Sequence, residues 1–504
     1  MCSDKWKKVF PLASNSDYQD EAANWTRSFR ESNYAERAIF TNAIPEATIL
    51  PSTSAHQYFA HNMESMKFSY NSEKWCNTKF NSSIKPEIWT KLAMFESTIR
   101  PDEIITFIGG PVTNVAWVPT DDHETSKQYL AVTYKKDLNE YAKYGDDTPY
   151  KTCMLIFQVE HIPKGQAKNL TPLYGVVLDS GPILNIEFLP SGGYAPALNR
   201  LGLVTIVSRK TDPEIYSLPL QIFETENCDL KGFPIIKLKS FAILRFDPDS
   251  GFDWTRQCTA VVWSKFKGHH IIAGAAMNGY VAIWDISEED NLNQIKKDGE
   301  RSFIPTNFFM ASDRRVLAID LHYDAHGARW VMLTTESKEL KLFDLREITP
   351  CALVTDDPLR CMVYNLEWPI YWENPILCYS DEIQKALTGI YSFSPIGLMY
   401  HYRKAIKCAS GAVTSSFIDW ENSHVFGCMN GDLVAHRCCE WRHNTPSQIN
   451  LANKYFSYTD MICLAGEQNK LTEIDPNSLS LFDKDYKEKY GLIISKFQRV
   501  SYRF

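Results

Sequence analysis

The chain has 504 residues, more than one hydrophobic core usually serves, so it is either two or three domains or a repeat array. With 44% hydrophobic and 13% aromatic residues it can offset its chain entropy, which excludes wholesale disorder. Lys and Arg number 53 against 61 Asp and Glu, a net charge of -8, which excludes phosphate-backbone binding over its general surface.

The basic clusters Lys5 to Lys8, His401 to Lys407 and Lys496 to Arg503 are modest, and each reads as a solvated face. The 13 cysteines are odd in number and irregular in spacing, which points to a reducing compartment without a disulfide framework. Cys153, Cys258 and Cys378 sit within apolar runs and are expected in the core. The first residues lack a secretory apolar region, and no apolar run reaches the roughly 18 residues that cross a bilayer, so an intracellular, soluble chain is expected.

In chain order, residues 1–60 come first and read as an N-terminal arm. Asp20 to Phe40 mixes charges with scattered aromatics, as a helix or irregular segment. Trp25, Phe29 and Phe40 are its candidate contacts, either to the rest of this chain or to a partner protein.

From residue 109 onward one pattern recurs: apolar, two residues, apolar, one residue, apolar. It is met by Val112 to Trp117, Ile183 to Phe188, Cys258 to Trp263, Val316 to Leu321, Val363 to Trp368 and, most weakly, Val413 to Ile418. Successive units lie 47 to 75 residues apart, so the period is loose and insertions are long.

Each such strand is followed by a second and a third apolar strand. After Trp117 these begin at Tyr129 and Cys153, and after Phe188 at Leu201 and Glu214. After Trp263 they begin at His270 and Tyr280, and after Leu321 at Trp330 and Glu339. The fifth unit predicts strands at Pro375, Ala386 and Leu398, and the sixth at His424 and Asp432. Asn278-Gly279 and Asn430-Gly431 are hairpin signals that predict type I′ turns. In the third unit Trp284-Asp285 closes the hairpin that turns at Asn278-Gly279.

Small antiparallel meanders that cannot bury both faces alone are satisfied by radial packing, so the fold expected is all-β, a WD40-like β-propeller over residues 61–504. A pair of β-sandwiches would supply as many short strands, but not one recurring inner-strand pattern. Six blades are legible. A seventh is expected, closed by pairing of the terminal segments, with strands at Met66, at Glu103 and at Phe497 to Tyr502.

Two segments go beyond the fold. Gly109, Gly110 and Pro111 with Trp117 and Pro119, then Leu201 and Gly202 with Tyr216, Leu218 and Pro219, closely resemble the first blades of one family. This is the WD-repeat subunit of RNA polymerase III transcription factor IIIC, called 91-kilodalton in budding yeast and 110-kilodalton in humans. Gly181-Pro182 and Leu189 to Gly192, between the two segments, share that look. The resemblance is clear over residues 105–345 and weaker beyond.

It implies a non-enzymatic nuclear scaffold without cofactors, within the τB module that recognises the B-box of tRNA genes. The implied partners are a second β-propeller subunit of about 60 kilodaltons and the large DNA-binding subunit, with DNA bound only within the complex. The family often carries a long basic N-terminal extension. This sequence begins close to the propeller, which leaves either a true absence or a trimmed chain and puts in doubt any DNA contact made by that extension.

Other chemistry is set aside. His436, Cys438, Cys439 and His443 invite zinc, but no Cys-x-x-Cys pair occurs and adjacent cysteines on a strand point to opposite faces. Gly268-His269-His270 falls between first and second strands and is expected to be a loop outside any buried hydrogen-bond network. No phosphate-binding or nucleophile motif is present. The alternative function is a WD-repeat reader of peptides such as histone tails, which would need a pocket at the channel mouth. An assembly subunit instead predicts apolar patches away from the channel.

Overall fold

In the computed structural model the recurring pattern falls on the first strand of six successive sheets. The structure describes residues 40, 42–58, 65–70, 89–93, 95–100, 103–106, 108, 112–120, 127–134, 151–161, 167–209, 212–222, 233–246, 256–265, 269–287, 292–297, 299–324, 327–349, 351, 353–354, 362–367, 376–379, 389–392, 403–407, 412–418, 423–428, 433–437, 453–456 and 461–465.

The first sheet is a meander of Val112–Trp117, Lys127–Tyr134, Thr152–His161 and Ala167–Leu178. The second starts with Ile183–Phe188, Arg200–Ser208, Glu214–Pro219 and Ala242–Leu244. Cys258–Trp263, Ile271–Ala276, Tyr280–Asp285 and Asn307–Met310 form the third, and Val316–Asp324, Gly327–Thr335, Leu340–Asp344 and Leu353–Val354 the fourth. The fifth is Val363–Glu367, Ile376–Tyr379, Gly389–Ser392 and Arg403–Lys407, and the sixth Ala412–Ile418, Ser423–Cys428, Leu433–Arg437 and Asn453–Phe456. First strands of consecutive sheets lie against one another from the first sheet to the sixth, the arrangement of a β-propeller.

All six first strands share a feature that composition does not show. Their pairing slips by one residue at the second position, between Val112 and Asn114, Ile183 and Asn185, Cys258 and Ala260, Val316 and Ala318, Val363 and Asn365, and Ala412 and Thr414. A bulge adds twist and leaves one residue outside the ladder. In the third sheet that residue is Thr259, whose hydroxyl donates to Ala275 O and, 2.9 Å away in the next sheet, to Val316 O. In the first five sheets the bulge explains why two residues, not one, separate the first two apolar positions of the pattern; in the sixth the bulged residue is Val413 itself, one residue off the expected register.

Packing lies between sheets. Ile156 and Val176 of the first sheet meet Ile186, Val204 and Tyr216 of the second. Leu203, Val207 and Ile215, from the other face of that second sheet, meet Trp263, Ile272 and Trp284 of the third. Ala273, Val281 and Ile283 then meet Ile319, Val331 and Leu333 of the fourth. A strand covered on both faces reads as a continuous apolar run, which is why Arg200–Ser208 is buried throughout.

The turn at Asn278-Gly279 differs from the type I′ expectation. Gly279 has φ of +85°, but Asn278 is not in the left-handed region, and Gly279 N donates to Ala276 O. This is a type I turn followed by a left-handed residue, a three-residue loop that needs only one positive φ. The fourth sheet makes the same turn with Lys338 at φ +65°. Asn430-Gly431 lies outside the described residues. The fifth sheet's fourth strand forms at Arg403–Lys407, after the stretch expected from Leu398.

The chain before residue 60 is built into the first two sheets where it is described. Ala47–Ile49 pairs antiparallel with Ile235–Leu238, which itself lies parallel to Ala167–Leu178. Ser65–Tyr70 pairs with both Trp89–Ala93 and Met461–Ala465, joining early and late chain in one sheet. Ser97–Arg100 and Glu103–Thr106 form a separate hairpin, and Phe497 to Tyr502 lies outside the described residues. No described helix is long and apolar enough to cross a membrane.

One buried base couples this fold to pH. His322, in the fourth sheet's first strand, has its Nδ1 shielded from water, and burial pushes the imidazole down to about 3 from 6.5. The native ring stays neutral while the unfolded one takes a proton, so its stabilising contribution is present above pH 6.5 and falls as pH drops towards 3. The expected slope is about 1.4 kcal/mol per pH unit in that window. Carboxylates titrate in the same window, so denaturant unfolding of the wild type and of His322→Gln across it should differ in slope by that amount, the wild type being the steeper.

Candidate assembly surfaces

The motif residues prove to be interior fittings of the blades. Leu201 and Leu218 are buried, and Trp117 is half-buried in the first sheet. Gly202 allows close approach of that sheet, since a Cβ there would stand 3.0 Å from Val118 Cγ1. The carbonyl of Pro219 accepts a hydrogen bond from the Tyr174 hydroxyl at 2.6 Å, which ties the second sheet to the first. Tyr216 donates to the Glu214 carboxylate, and burial, reinforced by that charge, holds its phenol well above the usual range. Gly109, Gly110, Pro111, Trp25 and Phe29 lie outside the described residues.

Trp284 is fully buried, edge-on to Phe246, and its indole N–H donates to Arg245 O at 3.0 Å. Gly274 makes room for it, because a Cβ there would meet the Trp284 ring at 2.7 Å. Asp285 Oδ1 accepts from Ser287 N, and Asp344 Oδ1 accepts from Arg346 N at the same place in the next sheet. Each aspartate therefore caps the exit from its third strand.

Phe40 is not on a surface open to a partner. Its ring is fully buried between Phe241 and Phe303, with the Arg301 guanidinium 5.7 Å from its centre. What holds it there is Arg200, 2% exposed. Its Nε donates to Gly193 O, its Nη1 to Phe40 O and Ala43 O, and its Nη2 to Gly192 O. Ser217 Oγ donates to Ala43 O as well. A strand-initial arginine two residues before the motif glycine is the only trace of this anchor in the sequence.

His269 also departs from expectation. It is fully buried at φ +48°, with Nδ1 2.8 Å from Ser264 O and Nε2 2.8 Å from Ser191 Oγ of the neighbouring sheet. Its carbonyl accepts from Trp263 Nε1 at 2.6 Å. The loop is thus the centre of a buried network between two sheets, because closing it in the left-handed region turns the ring inward.

Cys153 and Cys258 are buried, and burial pushes the Cys258 thiol well above its usual range, as for a packing residue. Among the described residues no group of three His, Cys, Asp or Glu side chains is placed to hold a metal. Of the zinc candidates, Cys438, Cys439 and His443 lie outside the described residues.

Five large apolar side chains stand exposed among the described residues: Ile44, Leu292, Ile295, Phe308 and Met310. Of the last four, Phe308 and Met310 come from the third sheet's outermost strand itself, and Leu292 and Ile295 from the insertion between that sheet's inner three strands and its outermost strand. Gln294–Lys297 and Glu300–Phe303 form a hairpin there that leaves the third sheet and joins the second, with Glu300–Phe303 parallel to Ala242–Leu244. The chain then returns as Asn307–Met310, the third sheet's outer edge. Exposed apolar side chains grouped along one stretch make this edge the candidate contact surface among the described residues.

No family model matches the chain. Two proteins are similar to it: general transcription factor 3C polypeptide 2 of Homo sapiens and its namesake of Pongo abelii, each 24% identical over 364 residues. These relatives are subunits of a transcription factor. The match covers 67% of this chain and 38% of each relative. The chain therefore corresponds to well under half the length of the proteins it is similar to.

Proposed function

We propose that this chain is a non-enzymatic scaffold subunit of transcription factor IIIC, acting in the nucleus to assemble the τB module that recognises the B-box of tRNA genes for RNA polymerase III. The observation that carries the reading is the similarity to general transcription factor 3C polypeptide 2 across 67% of the chain. The partners in this reading are a second propeller subunit and the large DNA-binding subunit. The apolar rim of Leu292 to Met310 supports an assembly role, since a catalytic propeller has no need of it.

The same reading takes residues 61–504 as a seven-bladed ring. What supports a seventh blade closed by the terminal segments is the sheet in which Ser65–Tyr70 pairs with Met461–Ala465, although Glu103–Thr106 lies in a separate hairpin.

The test is affinity purification of the tagged full chain from its source, followed by identification of co-purifying chains. A second propeller protein and a large DNA-binding chain should be recovered in near-equal amounts. Recovery of the chain alone would overturn the proposal.

A further inference from the structure

We infer that residues 40–50 are a strap seated in a peptide groove, and that the same groove takes an extended segment of a partner protein that repeats the strap's pattern: an aromatic, a small residue three places on and an apolar one six beyond that. This deepens the assembly reading and rests on it for the partner.

The strap is held as a bound peptide is held. The Phe40 ring fills a pocket made by Phe241, Phe303 and the Arg301 guanidinium, and Ala43 is fully buried in the same core between the second and third sheets. Ala47–Ile49 then adds a strand to the edge of Ile235–Leu238, with Lys239 N donating to Glu46 O and Leu50 N to Ile235 O. Ile49 packs on the core between the first and second sheets. A pocketed anchor followed by strand addition is how a sheet takes up a short segment. The other strap residues face outward, Ile44 at 59% exposure and Glu46, Ala47 and Thr48 exposed beside it.

Most of what the groove grips is backbone. Arg200 donates to Phe40 O and Ala43 O, Ser217 Oγ donates to Ala43 O, and the strand pairing uses main-chain groups alone. A second segment in the groove offers the same carbonyls, so exchange leaves Arg200 as well satisfied as before. Selection falls on the three side chains that point inward, those of Phe40, Ala43 and Ile49. The strap's own fit carries a cost, because Phe40 holds φ of +54°, a region unfavourable for a bulky side chain. Tyr58, whose hydroxyl donates to Asp179 Oδ1 at 2.7 Å, fastens the chain beyond the strap to the first sheet. Residues 40–50 can therefore lift while the segment after them stays docked, uncovering the Phe40 pocket and the Ile235–Leu238 edge together.

The probe is a fluorescent synthetic peptide with the sequence of residues 40–50, and its twin with alanine in place of the phenylalanine. By anisotropy, the peptide should bind the full chain carrying Phe40→Ala at least about tenfold tighter than the twin does, since the ring is the anchor. The wild type should bind it at least about a hundredfold more weakly than that variant, because the tethered strap competes at an effective concentration near millimolar. Peptide at roughly millimolar concentration, and not its twin, should quicken amide exchange at Ala47–Ile49 of the wild type, a readout that needs no variant. In the co-purified assembly the same amides should exchange faster than in the isolated chain, because a partner segment has taken the strap's place. A partner lying over the seated strap would slow them instead.

Equal effects of the peptide and its twin, or no effect of either, overturn the inference. So does unchanged or slowed exchange at Ala47–Ile49 in the assembly, in which case the strap stays seated and the assembly reading stands. A concentration-dependent dimer of the full chain that the peptide dissolves also overturns it, by placing a second copy in the groove. If the wild type purifies alone, the assembly reading fails and the partner segment with it, while the peptide results still decide whether the groove exchanges its occupant.

Discussion

Replacing Arg200 with methionine should lower the unfolding free energy by about 3 kcal/mol, although methionine fills much of the same space. The guanidinium is 2% exposed and satisfies four carbonyl oxygens, of Gly192, Gly193, Phe40 and Ala43. Burial lowers its pKa, yet a guanidinium starts so high that it stays charged at neutral pH. Removing it strands acceptors that water does not reach, and that desolvation cost exceeds what methionine regains by packing. Arg200→Lys should recover little, since one ammonium cannot span partners arranged around a planar fork. The loss should be local first: amide exchange at Ala47–Ile49 should quicken before global unfolding, because Phe40 and Ala43 are the anchor points of that strand. A methionine variant within about 0.5 kcal/mol of wild type, with unchanged exchange, would show that the arginine is not the anchor.

Gly279→Ala should cost about as much, by a different route. A Cβ at this position would stand 2.0 Å from Ser312 O and 2.8 Å from Arg314 O, both backbone, so neither can swing aside. The left-handed backbone at φ +85° adds about 1 kcal/mol for any side chain. Lys338 shows that a side chain can occupy the equivalent place in the fourth sheet. What singles out Gly279 is therefore the segment laid across it, fixed by Ala311 N and Ser312 N donating to Gly279 O. The alanine variant should unfold at clearly lower denaturant, by an amount near 3 kcal/mol, with loosened exchange at Asn307–Met310. A loss below about 1 kcal/mol would mean that the segment at Ser312 gives way easily.

Why the succession of sheets is legible while its fastenings are not follows from how each is encoded. The inner-strand pattern survives in Ile183–Phe188, Cys258–Trp263 and Val316–Asp324 because its three apolar positions all pack against the preceding sheet, which constrains residues close together in the chain. Arg200 reaching Phe40, or His269 reaching Ser191, joins residues far apart in the chain, and nothing local requires it. The left-handed turn at His269 is hidden because few histidines take positive φ, enriched though they are there, and nothing local marks this one. Asn278-Gly279 announced a turn, but one glycine fits two loop types, and the Ser312 crossing that decides between them is nonlocal.

The exposed apolar edge is the least legible part. Asn307–Met310 reads as an ordinary apolar strand until the sheet order makes it the outermost one. Conversely Phe40, an aromatic in an apparently irregular arm whose contacts could lie in its own chain or in a partner, is core. Exposure is a property of topology, and composition does not carry it.

The proposal that this chain acts by assembly, and not by holding DNA itself, is tested most directly by titrating a B-box duplex with the isolated chain and with the co-purified assembly over a salt series. An acidic chain neutralises few phosphates, so the isolated chain should bind weakly, without sequence preference, and release near physiological salt. The assembly should hold the B-box duplex there and discriminate against a scrambled one. Tight, sequence-specific binding by the isolated chain alone would contradict the account.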